Sequence, residues 1–207
     1  MKKYKEFLKS IVIVMGTQAA IYFLTKLFIS NYHELTSIIN VPLLKGFVYF
    51  YGSWYPVIIL TAFIVYKHDK EIYYKLIFTM ILGALLSHLT FIIYPTTISI
   101  RPNIEVHNIT DFLLDFTYRT DTPVNCLPSV HCLYCFISSY YIIRSKNLNW
   151  KYKLFILIYH SLIVISTLFI YQHILEDIIL ALIYTIISII VIYFIKDKLK
   201  KVLGFIF

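Results

Sequence analysis

The chain has 207 residues, enough for one domain; 59% of them are hydrophobic and only 14% are charged, and the mean hydropathy is +0.75. This composition excludes a soluble globular protein. The net charge of +8 does not indicate nucleic-acid binding, because the lysines flank long apolar runs and do not form one patch.

Six apolar runs predict membrane-spanning helices, because each approaches the roughly 20 residues that cross a bilayer. They cover about 10–29, 47–66, 76–94, 131–143, 154–172 and 175–195. The fourth run is short, and counts of five or seven spans remain alternatives. The first run continues to about Ile29 without a clear cleavage site, which favours a retained span over a signal peptide. We therefore expect an all-α integral membrane bundle of six transmembrane helices, a single domain over 1–207 with its core at about 47–195.

The basic residues are distributed unevenly between the two sides of this bundle. With six spans, both termini and two loops share one side, which carries 15 of the 19 lysines and arginines. The other side carries only Lys26, Lys45, Arg101 and Arg119. Because basic loops remain in the cytoplasm, we expect a multi-pass protein of the cell membrane with both termini cytoplasmic.

The longest polar region, residues 95–129, contains one amphipathic stretch. Apolar residues recur at helical spacing and form one stripe, namely Ile109, Phe112, Leu113 and Phe116. Asp111 and Asp115 lie outside this stripe. The pattern predicts a helix that either lies on the outer membrane face or packs over the mouth of the bundle, and both interpretations remain open.

Four separate elements with chemically useful side chains fall on the extracytoplasmic side, at residues 101–102, 128–131, 166–167 and 173–177. In the last element, Asp177 follows His173 by four residues, which places both on one helix face. A carboxylate that accepts from one imidazole nitrogen leaves the other nitrogen free to attack. The alternative is that Glu176 and Asp177 only stabilise the N-terminus of the last span.

His131 opens the fourth predicted span and is a candidate general acid, because a lipid alkoxide leaves poorly unless it is protonated. Ser129 can cap the same helix, whose free N–H groups suit a phosphate. The alternative is a loop histidine at an interface.

Arg101 is the candidate phosphate-binding cation, since a guanidinium binds phosphate oxygens in a planar fork. Arg119 shares this argument more weakly. His88 and His160 lie within spans, where hydrogen bonds between helices are favoured over a functional role.

Three cysteines, Cys126, Cys132 and Cys135, surround His131 and raise the possibility of a zinc site. No second cysteine pair completes such a site, so free thiols are the favoured interpretation and no metal is expected.

Together these elements resemble the type 2 phosphatidic acid phosphatase superfamily, which includes lipid phosphate phosphatases and vanadium haloperoxidases. The resemblance covers roughly 47–195, and the matching residues are Arg101, Pro102, Pro128, Ser129, His131, Ser166, His173 and Asp177. It implies a six-span bundle, a phosphohistidine on His173, acid catalysis by His131 and no metal or cofactor. It also implies that Arg101, Ser129 and Ser166 bind the phosphate.

The chain departs from the superfamily pattern at two cations, because Tyr94 and Thr167 replace a lysine and an arginine. In this respect it looks more like the inositol phosphorylceramide and sphingomyelin synthases, which carry similar motifs. The missing charges lead to the hypothesis that the site prefers less charged substrates or uses Arg119 as a replacement cation.

The expected function is a metal-independent lipid phosphate phosphatase with an extracytoplasmic site. The partners expected are the bilayer and a lipid phosphate, and not nucleic acid. A phospho-headgroup transferase, a non-catalytic lipid-binding membrane protein and a small proton-coupled transporter remain alternatives.

Overall fold

The computed structural model describes the backbone of residues 4–206 and, near the C-terminus, side chains as far as residue 195 together with those of Asp197 and Lys198. The predicted cytoplasmic Lys2 and Lys3 lie outside the described residues, as do the side chains of Lys196, Lys200 and Lys201. The helices are α1 (Lys5–Phe28), α2 (Val48–Gly52), α3 (Trp54–His68), α4 (Lys70–Ile93), α5 (Ile109–Thr120), α6 (Val130–Arg144), α7 (Trp150–Phe169) and α8 (Leu175–Ile206). A 3₁₀ turn at Lys45–Phe47 precedes α2, and a short parallel pair joins β1 (His33–Glu34) to β2 (Thr96–Thr97).

Several helices begin at a capping side chain that accepts a hydrogen bond from the free N–H groups of the first turn. Asp69 accepts from Ile72 N (3.1 Å) at α4, and Asn108 accepts from Asp111 N (3.0 Å) at α5. Ser129 accepts from Cys132 N (3.3 Å) at α6. These caps fix where each helix starts, and the cap of α6 determines the position of His131.

Five segments of the described chain are long and apolar enough to cross a membrane: Lys5–Phe28, Lys45–His68, Lys70–Ile93, Trp150–Phe169 and Leu175–Ile195. They confirm the all-α, multi-pass architecture and five of the six predicted spans. The fourth predicted span is different, because α6 has only 15 residues. Such a helix rises about 22 Å, less than the roughly 30 Å of a bilayer core.

The short α6 is the central helix of the bundle, and it packs against α3, α4, α7 and α8. Cys132, Leu133, Tyr134 and Ile137 on α6 are completely buried. A helix surrounded by other helices contacts protein and not lipid, so its length need not match the thickness of the bilayer.

Contacts between distant residues define two ends of the bundle. At one end Glu6 accepts from Lys70 and Tyr74, and Asn147 donates to the His68 carbonyl. At the other end Trp54 donates to the carbonyl of His131 (3.1 Å), and Ser129 N donates to the carbonyl of Asp177 (3.2 Å). We call this second end the site end. The long helices alternate in direction, so His131 and His173 lie at the same end although 42 residues separate them in sequence.

The predicted amphipathic helix is confirmed as α5, which lies across the site end. Leu114 is fully buried in a cluster with Val48, Tyr51 and Ile170. Asp111, expected on the polar face, is buried and forms an ion pair with Lys45 (2.7 Å). The predicted apolar stripe is instead largely exposed to the outside, with Ile109 64%, Phe112 52% and Phe116 54% exposed. The helix therefore packs over the mouth of the bundle and also presents an apolar face outward, as a membrane-surface helix does.

Helices α4 and α6 approach closely at Gly83. A Cβ at this position would lie 3.2–3.3 Å from side-chain carbons of Leu133 and Ile137. We expect Gly83→Leu to lower the free energy of unfolding by about 1–3 kcal/mol, because the added side chain overpacks this contact. Thermal unfolding in detergent measures the effect. Gly16→Leu on α1 is the control, since no heavy atom lies within 4 Å of its Cβ. Equal losses in the two variants would contradict the close packing.

Candidate active site

A cavity of about 380 Å³ opens at the site end, within the size range of small-molecule sites. It lies between α1, the start of α3, α5, the segment 121–126, the first turn of α6 and the α7–α8 connection. Three of the predicted site residues line it, namely Arg101, His131 and His173. Residues distant in sequence therefore converge on one concave surface.

His173 and Asp177 form the buried pair that the sequence predicts. Asp177 Oδ2 accepts from His173 Nδ1 (3.0 Å), and the side chain of Asp177 is completely buried. The pair does not lie within one helix, because α8 begins at Leu175. Asp177 is the third residue of α8 and also accepts from Ile174 N (3.1 Å), as the acidic member of a capping box does. Asp177 Oδ2 therefore caps α8 and also binds His173. The sequence left these two roles as alternatives, and the structure shows both.

The backbone of the α7–α8 connection holds His173 in place. Tyr171 adopts a left-handed conformation (φ 54°) that turns the chain. The carbonyl of Thr167 then accepts from both Gln172 N (2.9 Å) and His173 N (3.0 Å). These bonds tie His173 to the end of α7 while its side chain reaches the start of α8. The imidazole is consequently fixed from both sides, with Nε2 remaining for chemistry in the cavity.

His131 lies in an aromatic setting opposite His173. Its ring centroid is 4.5 Å from that of Tyr51, 4.4 Å from that of Trp54 and 6.0 Å from that of His173. Trp54 also holds the His131 backbone through the hydrogen bond to its carbonyl. A substrate atom between the two imidazoles could contact both, as an attacking nucleophile and a general acid require.

Arg101 is held in a fixed orientation at the cavity wall. Its Nε donates to the Tyr171 carbonyl (3.0 Å), Nη1 donates to the Asp121 carbonyl (2.7 Å) and Nη2 donates to Gln172 Oε1. The guanidinium also stacks over the Tyr118 ring at 4.9 Å. These contacts use three of its five N–H groups. Of the cavity-lining residues that the structure describes, Arg101 is the only lysine or arginine.

Three predicted phosphate-binding residues do not line the cavity. The Arg119 side chain is 77% exposed and pairs with Asp115 (2.8 Å) one turn earlier on α5, because α5 presents this face to the outside. Ser129 is buried as the cap of α6. Ser166 is buried in α7, where its hydroxyl donates to the Ile163 carbonyl (2.6 Å). Ser129 and Ser166 support the elements that carry His131 and His173, and Arg119 supplies no charge to the cavity wall.

Asp121 is a cavity residue that the sequence interpretation did not select. Its carboxylate accepts from Tyr22 (3.1 Å) and from Tyr51. Burial alone would raise the pKa of Asp121, but His131, the Tyr51 hydrogen bond, His173 and Arg101 together hold the pKa of this carboxyl below its usual value. Asp121 is therefore ionised at neutral pH. The only signal in the sequence was an acid directly after the amphipathic helix, close to Arg119.

The remaining histidines and cysteines lie away from the reacting groups or are inert. His88 bonds to carbonyls of Ala84 and Gln18, and His160 bonds to hydroxyls of Ser139 and Thr61, so the preference for hydrogen bonds between helices is confirmed. Burial raises the pKa of the Cys126 thiol well above its usual value, so this cysteine remains protonated. All three cysteines are unpaired and buried.

The geometry of Arg101 leads to a specific expectation for Arg101→Lys. Lysine keeps the charge but loses the planar fork, the stacking on Tyr118 and most of the fixed contacts. For a lipid phosphate, the substrate that the sequence predicts, we expect kcat/KM to fall about 10- to 100-fold, the effect of about 1.5–3 kcal/mol for charged hydrogen bonds. Arg144→Lys is the matched control, since Arg144 also stacks on a tyrosine, Tyr140 at 5.0 Å, at the opposite end of the bundle. Similar rates for the two variants would contradict a role for Arg101.

Comparison with known proteins places this geometry in a family. No curated protein and no solved structure matches the chain significantly. The family model described as the PAP2 superfamily matches residues 72–201, more than half of the chain, and this range contains Arg101, His131, His173 and Asp177. The match is to the superfamily as a whole and does not select the inositol phosphorylceramide synthase-like branch. The chain belongs to the PAP2 superfamily, the type 2 phosphatidic acid phosphatases and their relatives, whose activities are those of phosphatases and phosphotransferases.

Proposed function

We propose that the protein is an integral membrane phosphatase that acts on a lipid phosphate through a phosphohistidine on His173. The observation that carries this proposal is the buried His173–Asp177 hydrogen bond beside a cavity shared with His131 and Arg101. The nucleophile, its orienting acid, a general acid and a cation are all side chains of this chain. The chemistry therefore needs no metal ion or cofactor.

In the first step, His173 Nε2 attacks phosphorus and forms the P–N bond. The P–O bond to the lipid breaks on the opposite side, and His131 donates its proton to the departing alkoxide. Asp177 accepts from Nδ1 throughout and stabilises the positive charge that develops on the imidazole. The two N–H groups of Arg101 not used in its fixed contacts bind phosphate oxygens.

In the second step, water attacks phosphorus and the P–N bond breaks. His131, now neutral, accepts the proton of the water, and His173 is released. Both steps use the same pair of imidazoles, so the site returns to its starting state after each turnover. A phosphomonoester lipid gives inorganic phosphate and the lipid alcohol as products, whereas a phosphodiester gives a phosphomonoester and an alcohol.

The site belongs on the extracytoplasmic side in this proposal. The described lysines and arginines concentrate at the end of the bundle opposite the site end, as the positive-inside pattern requires of a cytoplasmic face. A lipid would enter sideways between α1, α3 and α5. Phe23, Tyr55 and Phe116 line the cavity there and are 59%, 50% and 54% exposed. The whole of residues 1–207 would act as one domain.

The charges at the cavity wall support a preference for a less charged substrate. Arg101 supplies one fixed positive charge and Asp121 supplies one negative charge. A phosphate dianion is best bound by several cations, whereas a singly charged phosphodiester needs fewer. Turnover of matched phosphomonoester and phosphodiester lipids measures this preference, and a large preference for the monoester would contradict it.

The proposal is tested with purified protein in detergent and EDTA, using phosphatidic acid, a polyprenyl pyrophosphate and a phosphodiester lipid. We expect turnover that EDTA does not inhibit. Quenching during turnover of a ³²P-labelled substrate should trap label on the protein that is released by acid and retained in base, as a phosphoramidate is. Turnover that EDTA abolishes would overturn the mechanism. Absence of turnover with every substrate would favour a non-catalytic lipid-binding protein.

A further inference from the structure

The cavity contains polar side-chain atoms that the two-histidine chemistry does not use. Gln18 Oε1, Asn125 Oδ1 and Gln172 Nε2 are buried without a hydrogen-bond partner within the described chain, and all three residues line the cavity. They are only 8%, 4% and 2% exposed. Thr122 also lines the cavity, and its hydroxyl lies within hydrogen-bonding reach of Tyr22. An unpaired buried polar group is costly, so a cluster of three in one cavity indicates a bound polar ligand.

The hydrogen bonds around two of these amides determine which atom is free. Gln172 Oε1 accepts from Arg101, which has only donors, so the free atom is the donor Nε2. Asn125 Nδ2 donates to Thr25 Oγ1 (3.1 Å), whose own proton goes to the Tyr22 carbonyl (2.9 Å). Thr25 can therefore only accept, and the free atom of Asn125 is the acceptor Oδ1. Asn125 also adopts a left-handed conformation (φ 56°) that asparagine tolerates well.

The free atoms divide by chemistry and by position. The donor Gln172 Nε2 lies beside Arg101 and suits a phosphate oxygen. The acceptors lie along α1, which carries Gln18 itself. Two further α1 residues bind the other acceptor side chains: Thr25 accepts from Asn125, and Tyr22 donates to the Asp121 carboxylate. Gln18, Tyr22 and Thr25 are spaced at i, i+4 and i+7, so they share one face of α1. The α1 wall of the cavity is therefore rich in hydrogen-bond acceptors.

We propose that Gln18, Thr122 and Asn125, together with Asp121, form a second subsite that binds the hydroxyl groups of an acceptor alcohol. This inference rests on the proposed phosphohistidine chemistry and names the group that receives the phosphate. The Asp121 carboxylate and the acceptor oxygens repel a second phosphate. A cationic headgroup would place another positive charge beside Arg101. A polyol can donate the protons of its other hydroxyl groups to these oxygens, while the attacking hydroxyl faces His131 and directs a lone pair at phosphorus.

The transfer step balances without any further reactant. The alcohol oxygen attacks the phosphorus of the phosphohistidine, the new P–O bond forms, and the P–N bond to His173 breaks. The hydroxyl proton passes to His131, which lost its own proton to the first leaving group. His131 is then protonated again for the next turnover. A bound alcohol replaces water in this step, and the product is a phosphate ester in place of inorganic phosphate.

The test uses full-length protein in detergent and EDTA, with phosphatidic acid as donor and glycerol as the added alcohol. Glycerol phosphate and inorganic phosphate are measured together while the glycerol concentration is raised. The fraction of phosphate recovered as glycerol phosphate should rise to a plateau for the wild type, because a bound alcohol replaces water at the phosphohistidine. We expect Gln18→Met and Thr122→Val each to raise the half-saturating glycerol concentration about tenfold, the effect of losing one hydrogen bond. Both variants preserve side-chain shape, which limits effects on folding.

Thr185→Val is the matched control, since the Thr185 hydroxyl bonds to the Ala181 carbonyl (2.9 Å) within α8, and Thr185 is not a lining residue of the cavity. It should saturate as the wild type does. Gln18→Met and Thr122→Val variants whose half-saturating glycerol concentration matches this control would overturn the acceptor subsite while leaving the phosphatase proposal intact. Absence of both products from the wild type would instead overturn the proposed function, and the acceptor subsite with it.

Discussion

Replacing His173 with alanine is expected to reduce phosphate release by a factor on the order of 10⁴ or more, because the variant has no nitrogen that can form the covalent intermediate. The cavity keeps Arg101 and His131, so the lipid phosphate should still bind with a similar Kd. Phosphate release and equilibrium binding of the same lipid, measured on one preparation, separate loss of chemistry from loss of the site. Label from ³²P-substrate should no longer remain on the protein.

His107→Ala is the control for this variant, because His107 lies in the loop before α5, with a side chain that is 72% exposed, and does not line the cavity. Its phosphate release should match that of the wild type. Retention of more than about a tenth of wild-type release by His173→Ala would overturn its assignment as the nucleophile. The reaction would then proceed by direct attack of water on the substrate.

Asp177→Asn is expected to lower kcat on the order of 10⁴-fold, as the corresponding change does in a catalytic triad, while KM changes little. Asp177 Oδ2 accepts from both His173 Nδ1 and Ile174 N, so the asparagine oxygen can take both bonds and preserve the start of α8. The amide carries no negative charge, so it no longer stabilises the imidazolium that forms when His173 attacks. Where the amide instead turns its NH₂ group toward His173, the imidazole must carry its proton on Nε2, and attack is blocked.

Glu176→Gln is the control in the same turn of α8. Glu176 accepts from Ile38 N (2.9 Å) and has no hydrogen bond to His173, so its kcat should stay within about threefold of the wild type. Thermal unfolding of both variants reports on the helix cap. If Asp177→Asn unfolds at a much lower temperature and loses kcat only in proportion to unfolded protein, Asp177 is a structural cap and not an orienting residue.

Much of the site was accessible from the sequence because its signals are local. The spacing of His173 and Asp177 identified the pair, and the alternation of apolar runs placed His131, His173 and Arg101 at one end of the bundle. Two details differ from expectation for structural reasons. The His173–Asp177 bond crosses the start of α8, and α6 is shorter than a span because surrounding helices replace lipid around it.

Other features could not be predicted, since they depend on which side chains from distant segments meet. In the sequence Asp121 is a loop acid near Arg119, yet hydrogen bonds from Tyr22 and Tyr51 hold its carboxylate at the cavity wall. The sequence offers Arg119 as a replacement cation, but the rotation of α5 turns its side chain outward toward Asp115. Gln18 gave no signal within an apolar span, and its position on the cavity wall leads to the acceptor subsite proposed here.

Hydropathy and residue spacing are enough to predict an all-α membrane protein with a His173–Asp177 pair and a matching His131, because these patterns act over one or two helical turns. The charge and the polarity of the cavity follow only from how the helices pack: Arg101 and Asp121 meet there, while Arg119, Ser129 and Ser166 do not line it. Electrostatic and hydrogen-bond contacts depend on distances of a few ångströms between helices. Those distances are set by packing and rotation, which the local pattern does not encode.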